Sequence, residues 1–315
     1  MLVRMTVNSL SIACRPALAG LLCLAMLCAG CAPRALLLQG VADQLAGHGQ
    51  AEEEDLGLAR DAAACYLKLS ESVLQQTPGH TALAEAVGSG FTQYAYAFVA
   101  FEADKLEATD SRAAQRLRQR AARLYERAHR QTMRALELQR PGFADALASQ
   151  ASARLAMVSP RTPAAPLQLA THQVALAYWA AASWGGFIAL SKDKPDVVAD
   201  LPLAMQLAQL AYDTQPEHGQ GSLAVLMAQF ELARPGGTAA AAERYLAVAD
   251  RASGTPAPAT LVARAESLAL PAGDRAAYEA LLRQALTVSS ERRDLASQVL
   301  RARAQWLLHT LDDRF

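Results

Sequence analysis

Three stretches share one spacing: Ala204-Met-Gln-Leu-Ala208-Gln-Leu-Ala211-Tyr-Asp-Thr-Gln-Pro216, Ala242-Glu-Arg-Tyr-Leu246-Ala-Val-Ala249-Asp-Arg-Ala-Ser-Gly254 and Tyr278-Glu-Ala-Leu-Leu282-Arg-Gln-Ala285-Leu-Thr-Val-Ser-Ser290. In each, small or apolar residues recur at steps of four and three, and a turn-favouring residue follows five places on. Steps of four and three return to one face of an α-helix, so each ladder predicts a buried stripe against which a second helix can lie closely. The copies are offset by 38 and 36 residues. A fainter copy is Ala128, Thr132, Ala135 and Arg140, with Pro141 one place late.

Such ladders resemble the second helix of tetratricopeptide (TPR) pairs, although the matching first helices are poor. The fold class expected is therefore all-α: TPR-like stacked helix pairs, an α-solenoid or helical bundle, which leave a concave surface suited to binding. Prolines and glycines at Pro78-Gly79, Pro141-Gly142, Pro160 to Pro166, Pro195, Pro216, Pro235-Gly236-Gly237, Pro256 to Pro258 and Pro271 punctuate the chain. Between them the periodicity predicts helices at 51–76, 80–107, 111–139, 143–156, 166–190, 199–213, 219–233, 238–252, 260–269, 274–288 and 292–312. Hydrophobic residues reach 52% but aromatics only 6%. With alanine abundant and β-branched runs scarce, that composition favours close helix packing over sheets. Lys plus Arg and Asp plus Glu both total 30, so nucleic-acid binding has no global electrostatic support.

The first 30 residues read as a secretory signal: Arg4 and Arg15 with no acid, an apolar run from Ala17 to Ala29, and Ala29-Gly30 before Cys31. The run is shorter than the roughly 20 apolar residues of a transmembrane helix. Small residues before a cysteine resemble the bacterial lipobox, in which the thiol takes a diacylglyceryl group and the cysteine becomes the mature amino terminus. Cys28 stands where that pattern prefers leucine, and an ordinary cleaved signal is the alternative. Ala32 after the cysteine favours the outer membrane. The organisation expected is a lipoprotein signal peptide over 1–30, a tether and linker over 31–50 and a helical domain over 51–315. With Cys14, Cys23 and Cys28 in the leader and Cys31 lipidated, Cys65 alone remains, so no disulfide can form within the chain. Its apolar neighbours place it as a small core residue.

Three segments are candidates for function. Phe91, Tyr94, Phe98 and Phe101 share a helix face while Tyr96 falls elsewhere; they read as a core face or as the wall of an apolar ligand channel. Arg116, Arg120, Arg123, Arg127, Arg130 and Arg134 recur at steps of four and three, either as a solvated face or as a docking face for an acidic partner. From Val174 to Leu190 the pattern is apolar on every side, which predicts surrounding helices. Within it Tyr178, Trp179, Trp184, Gly185 and Gly186 indicate either close backbone approach or a ligand between the indoles.

That last segment also carries a resemblance. Tyr178-Trp179 through Ser183-Trp184-Gly185-Gly186, then Ile188-Ala-Leu190-Ser191-Lys192-Asp193, Pro195-Asp196 and Ala199-Asp200-Leu201-Pro202, resembles the TatT family, the TPR-containing T component associated with tripartite ATP-independent periplasmic (TRAP) transporters. Ala103-Asp104-Lys105-Leu106-Glu107, Arg234-Pro235-Gly236-Gly237 and Arg303-Ala-Gln305-Trp306 fit it too. The resemblance implies a periplasmic lipoprotein and a homotrimer with a central pore and apolar cavities, partnering the periplasmic solute receptor of a TRAP system. The function expected is a transport accessory that binds a small hydrophobic or amphiphilic solute and docks that receptor; the alternative is an envelope scaffold that binds protein only. His48, His80, His129, His172, His218 and His309 stand singly, and no His-Glu-x-x-His, paired cysteine beyond the leader or phosphate loop occurs. No metal, no cofactor and no enzymatic activity is therefore expected.

The anchor is directly testable. Cys31→Ser is expected to move the protein from the membrane fraction into the soluble periplasm, and an unmodified Cys31 in the mass spectrum of the native protein would rule the anchor out.

Overall fold

The computed structural model describes residues 32–47, 53–156 and 166–315. The expected signal segment, Cys31 and most of the Pro160 to Pro166 stretch lie outside them. The described residues are helical, with no β-strand: α1 (Ala32–Gly47), α2 (Leu56–Gln76), α3 (Thr81–Tyr94), α4 (Phe101–Leu106), α5 (Ser111–Gln139), α6 (Phe143–Ala156), α7 (Val174–Ala189), the single turn α8 (Pro195–Val198), α9 (Leu201–Thr214), α10 (Ser222–Ala233), α11 (Ala239–Ser253), α12 (Pro258–Arg264), α13 (Arg275–Ser290) and α14 (Leu295–His309). Two π-helical turns intervene: Ala95–Ala100 joins α3 to α4, and Ala265–Ala269 follows α12.

Side-chain caps set many of the starts by satisfying amides that have no partner within the helix. The Asp55 carboxylate accepts from Gly57 and Leu58 amides at 2.8 and 3.1 Å, Asp110 from Ala113 at 2.8 Å, Asp274 from Ala277 at 2.9 Å and Asp294 from Ser297 at 2.9 Å. His80 caps α3 through Nδ1, which accepts from the Leu83 amide at 3.0 Å, while its Nε2 meets Asp43 of α1 at 2.9 Å. The segment expected as a tether is thus largely helix α1. Ala42 is fully buried there, and the Tyr66 hydroxyl of α2 donates to the Leu45 carbonyl.

The ladders form the predicted stripes. Ala204, Ala208 and Ala211, then Ala242, Leu246 and Ala249, then Tyr278, Leu282 and Ala285 are all buried, as are Ala128, Thr132 and Ala135. Gly254 takes φ +74° to end α11 in a left-handed cap. One core gathers α3, α5, α7, α9 and α10 around Leu83, Val87, Leu136, Leu176, Leu207 and Leu223. A second unites α12, α13 and α14 around Leu261, Tyr278, Leu282 and Leu307. A small cluster of Ala228, Ala242, Leu246 and Ala263 joins them. The last segment of the chain then returns to the first half: Arg293, just before α14, reaches Glu54 at 3.2 Å, and Trp306 of α14 lies edge-on to Phe101 with ring centroids 5.6 Å apart.

Three sequence expectations are corrected. Helices 80–107 and 260–269 are each interrupted by a π-turn. The 166–190 helix begins only after a short 3₁₀ turn, because the Gln173 side chain accepts from the Ala170 amide at 3.0 Å and closes the approach. Cys65 is exposed, not in the core. It lies two residues from buried Leu67, about 200° around the helix axis.

Helix α7 is enclosed as its all-round apolarity predicts, and its closest approach is to α5. A Cβ on Gly186 would stand 2.7 to 2.8 Å from three ring carbons of Tyr125, and one on Gly185 would meet the Phe230 ring at 3.0 Å. Tyr125 is itself buried, so its ring has no free space to retreat into. Gly186→Leu is expected to cost about 1–3 kcal/mol through overpacking, read as a lowered melting temperature, whereas Gly79→Leu, with nothing within 4 Å, should melt close to the parent.

Candidate functional site

A half-open cleft of about 220 Å³ forms where the first turn of α2, the turn Ala95–Ala100 with α4, and α14 converge. Leu56 and Gly57 come from α2, Ala97, Phe98 and Phe101 from the π-turn and α4, and Val299 and Ala302 from α14, making an apolar floor and walls. Arg60, Glu102 and Lys105 supply a polar rim. Lys105 Nζ donates to Glu102 at 3.2 Å and lies 4.4 Å from the Phe101 ring centroid. Arg60 meets only its neighbour Asp61, at 3.4 Å. The arrangement suits a molecule with an apolar body and a polar end, the body shedding water while the end stays at the rim.

Behind Phe101 stands Arg303 of α14, its side chain only 13% exposed. Its guanidinium donates to Glu266 at 2.9 and 2.7 Å and to Asp104 at 3.2 Å. It also lies 5.5 Å from the ring centroids of both Tyr96 and Phe101. Burial alone would lower the pKa of Arg303, but Tyr96, Glu266 and Asp104 outweigh it and hold the group above the ordinary arginine value.

The residues singled out in the sequence are distributed as follows. Phe98 lines the cleft. Tyr94 is buried behind it, with ring centroids 5.5 Å apart in an edge contact. Phe91 is buried beneath the Arg127 guanidinium at 5.1 Å. The cleft takes in none of Tyr178, Trp179, Trp184, Gly185 and Gly186. Tyr178 meets Trp179 edge-on at 4.7 Å and faces His218 at 5.5 Å, and burial pushes its hydroxyl pKa up to about 12. Trp184 stacks at 4.3 Å on His129, whose pKa burial brings down to about 4. The space left by the paired glycines is filled by the Tyr125 and Phe230 rings.

The arginines of α5 divide in two. Arg127 turns inward as a two-pronged donor to Glu71 of α2, whose side chain is 2% exposed. Burial works against ionisation of Glu71, but Arg127 and Lys68 overcome it and hold the carboxyl below its usual value. Arg116, Arg120, Arg123 and Arg134 are exposed and make no ion pair among the described residues, while exposed Arg130 pairs with Glu126 at 3.1 Å.

Leu56, Arg60, Val299, Ala302 and Arg303 were not foreseen as site residues. They come from opposite ends of the chain, and local spacing holds no trace of their meeting. Tyr96, off the face of Phe91, Tyr94, Phe98 and Phe101, was the one available hint of the π-turn. No group of three or more His, Cys, Asp or Glu able to hold a metal occurs among the described residues, and none of their helices is long and apolar enough to cross a membrane.

An uncharacterized protein of Treponema pallidum (strain Nichols) is 26% identical to this chain over 312 residues, covering 92% of this chain and 94% of its own length. The family model described as TRAP transporter T-component matches residues 52–315, which include every residue lining the cleft and the whole arginine helix. By that match the chain belongs to the TRAP transporter T-component family.

Proposed function

We propose that this T-component is a periplasmic lipoprotein, anchored through Cys31 and assembled as a homotrimer, that docks the solute receptor of its transport system on α5 and binds a small hydrophobic or amphiphilic solute. The observation that carries the docking role is the row Arg116, Arg120, Arg123 and Arg134, exposed and without an ion pair among the described residues. Like charges three and four residues apart repel along a helix. An acidic surface relieves that repulsion, and guanidinium groups hold its carboxylates in two-pronged fashion.

The solute-binding role is supported by the cleft between α2, α4 and α14. Phe98 and Phe101 with Leu56, Val299 and Ala302 would take an apolar tail, each Å² removed from water contributing roughly 25 cal/mol. Arg60 and Lys105 would face its head. Phe91 and Tyr94 act in this reading as packing behind the site, whereas Tyr178, Trp179, Trp184, Gly185 and Gly186 belong to α7 and do not line it. A scaffold that binds protein alone is the second reading, and it is favoured by the filled space around Gly185 and Gly186.

Replacing Arg116, Arg120, Arg123 and Arg134 together with glutamine, while leaving Arg127 on Glu71, is expected to weaken receptor binding by on the order of tenfold or more and to flatten its salt dependence. Circular dichroism should be unchanged, and an unaltered affinity would return the row to plain solvated surface. For the cleft, octanoate serves as a probe with one apolar tail and one carboxylate. Calorimetry should detect its binding to the parent and lose it in Ala302→Phe, and absence of binding to the parent would favour the scaffold.

A further inference from the structure

The two π-helical turns are far apart in sequence yet meet at one side chain. Tyr96 belongs to the first and Glu266 to the second, and both face Arg303. A π-turn admits one extra residue into a helical turn, is rare, and occurs frequently at functional sites. Here each turn delivers one partner to the same guanidinium. The second partner from the first half, Asp104, lies in α4 and is also within 3.8 Å of Arg118.

The cohesion of the chain differs on the two sides of this contact. Helices α12 to α14 have their own core, joined to the main one by a cluster that is mostly alanine. The C-terminal unit can therefore keep its internal packing if its grip on α4 is loosened. That grip is polar and aromatic: Arg303 on Asp104 and Tyr96, and Trp306 edge-on to Phe101. Phe101 is shared, lining the cleft while meeting Arg303 and Trp306.

Resting on the reading that the cleft takes an amphiphilic solute, we infer that Arg303 is its positioning residue. It latches α14 onto α4 and the two π-turns, so the cleft is assembled only while the two ends of the chain are held together. Without the guanidinium, Glu266 and Asp104 face each other as partly buried like charges, and α14 moves away with Val299 and Ala302. Because the coupling is reciprocal, a solute in the cleft tightens the latch by the same factor by which the latch tightens the solute.

The test uses the Cys31→Ser protein and octanoate. Arg303→Met combined with Glu266→Gln removes the central pair while leaving Asp104 beside Arg118. This variant is expected to keep its helicity but bind octanoate at least tenfold more weakly, with Arg303→Lys recovering part of the loss. Without any substitution, octanoate should slow amide exchange in α14 and in Ala95–Ala100 together while leaving α7 unchanged. Parental affinity in the folded double variant, or no added protection in α14, overturns the inference, provided Ala302→Phe still abolishes binding. If Ala302→Phe binds octanoate normally, the cleft itself is not the solute site and that reading falls first.

Discussion

Helices α5 and α7 can lie as close as they do only because one of them presents bare backbone where the other presents a ring. Tyr125 occupies the volume that a side chain on Gly186 would need, and the small residues Ala121, Ala128 and Ala180 are buried in the same core. Helices without bulk at their contact approach until backbone and ring touch, and dense packing then fixes them in one register. Several elements of the first core are placed by this pair. The helix α3 fits against α5, with Gly88 facing Thr132, and α9 follows α7 through the Ala204, Ala208 and Ala211 stripe.

The same helix α5 shows how one residue type takes two roles according to its surroundings. Arg127 is drawn inward because Glu71 is buried opposite it and would otherwise be an unpaired charge away from water. One turn away in either direction, Arg123 and Arg130 have no buried acid to meet and stay outside. The arginine stripe is thus continuous in sequence but broken in function: its inward member stabilises the fold, and its outward members form a surface field.

How much of this was readable beforehand depends on range. The ladders, the limits of α5 at Ser111–Gln139 and α6 at Phe143–Ala156, and the enclosure of α7 all follow from spacing within a single helix, and spacing is what a sequence displays. The π-turns were hidden because one extra residue in a turn hardly disturbs the periodicity of a long apolar segment. Cys65 was misplaced because its apolar neighbours Ala64 and Tyr66 mask the polar side on which it lies. The cleft was out of reach for a different reason: Leu56 and Val299 meet only after the whole chain has turned back on itself. The difference between Arg127 and Arg123 likewise depends on Glu71, a residue of another helix.

Helix α1 would give the attachment proposed through Cys31 an unexpected stiffness. It starts at Ala32, directly after Cys31, and runs for 16 residues, about 24 Å at 1.5 Å per residue. His80 and Tyr66 fasten it to the body near its far end. Were the proposed lipid on Cys31, the link between bilayer and body would be a strut and not a leash. A flexible leash of that many residues would let the body tumble and sample every orientation above the membrane. A strut sets a standing height and a preferred heading, so the arginine face and the mouth of the cleft would each point in a constant direction relative to the lipid surface. Geometry, more than diffusion at the end of a chain, would then decide which partner molecules can reach them.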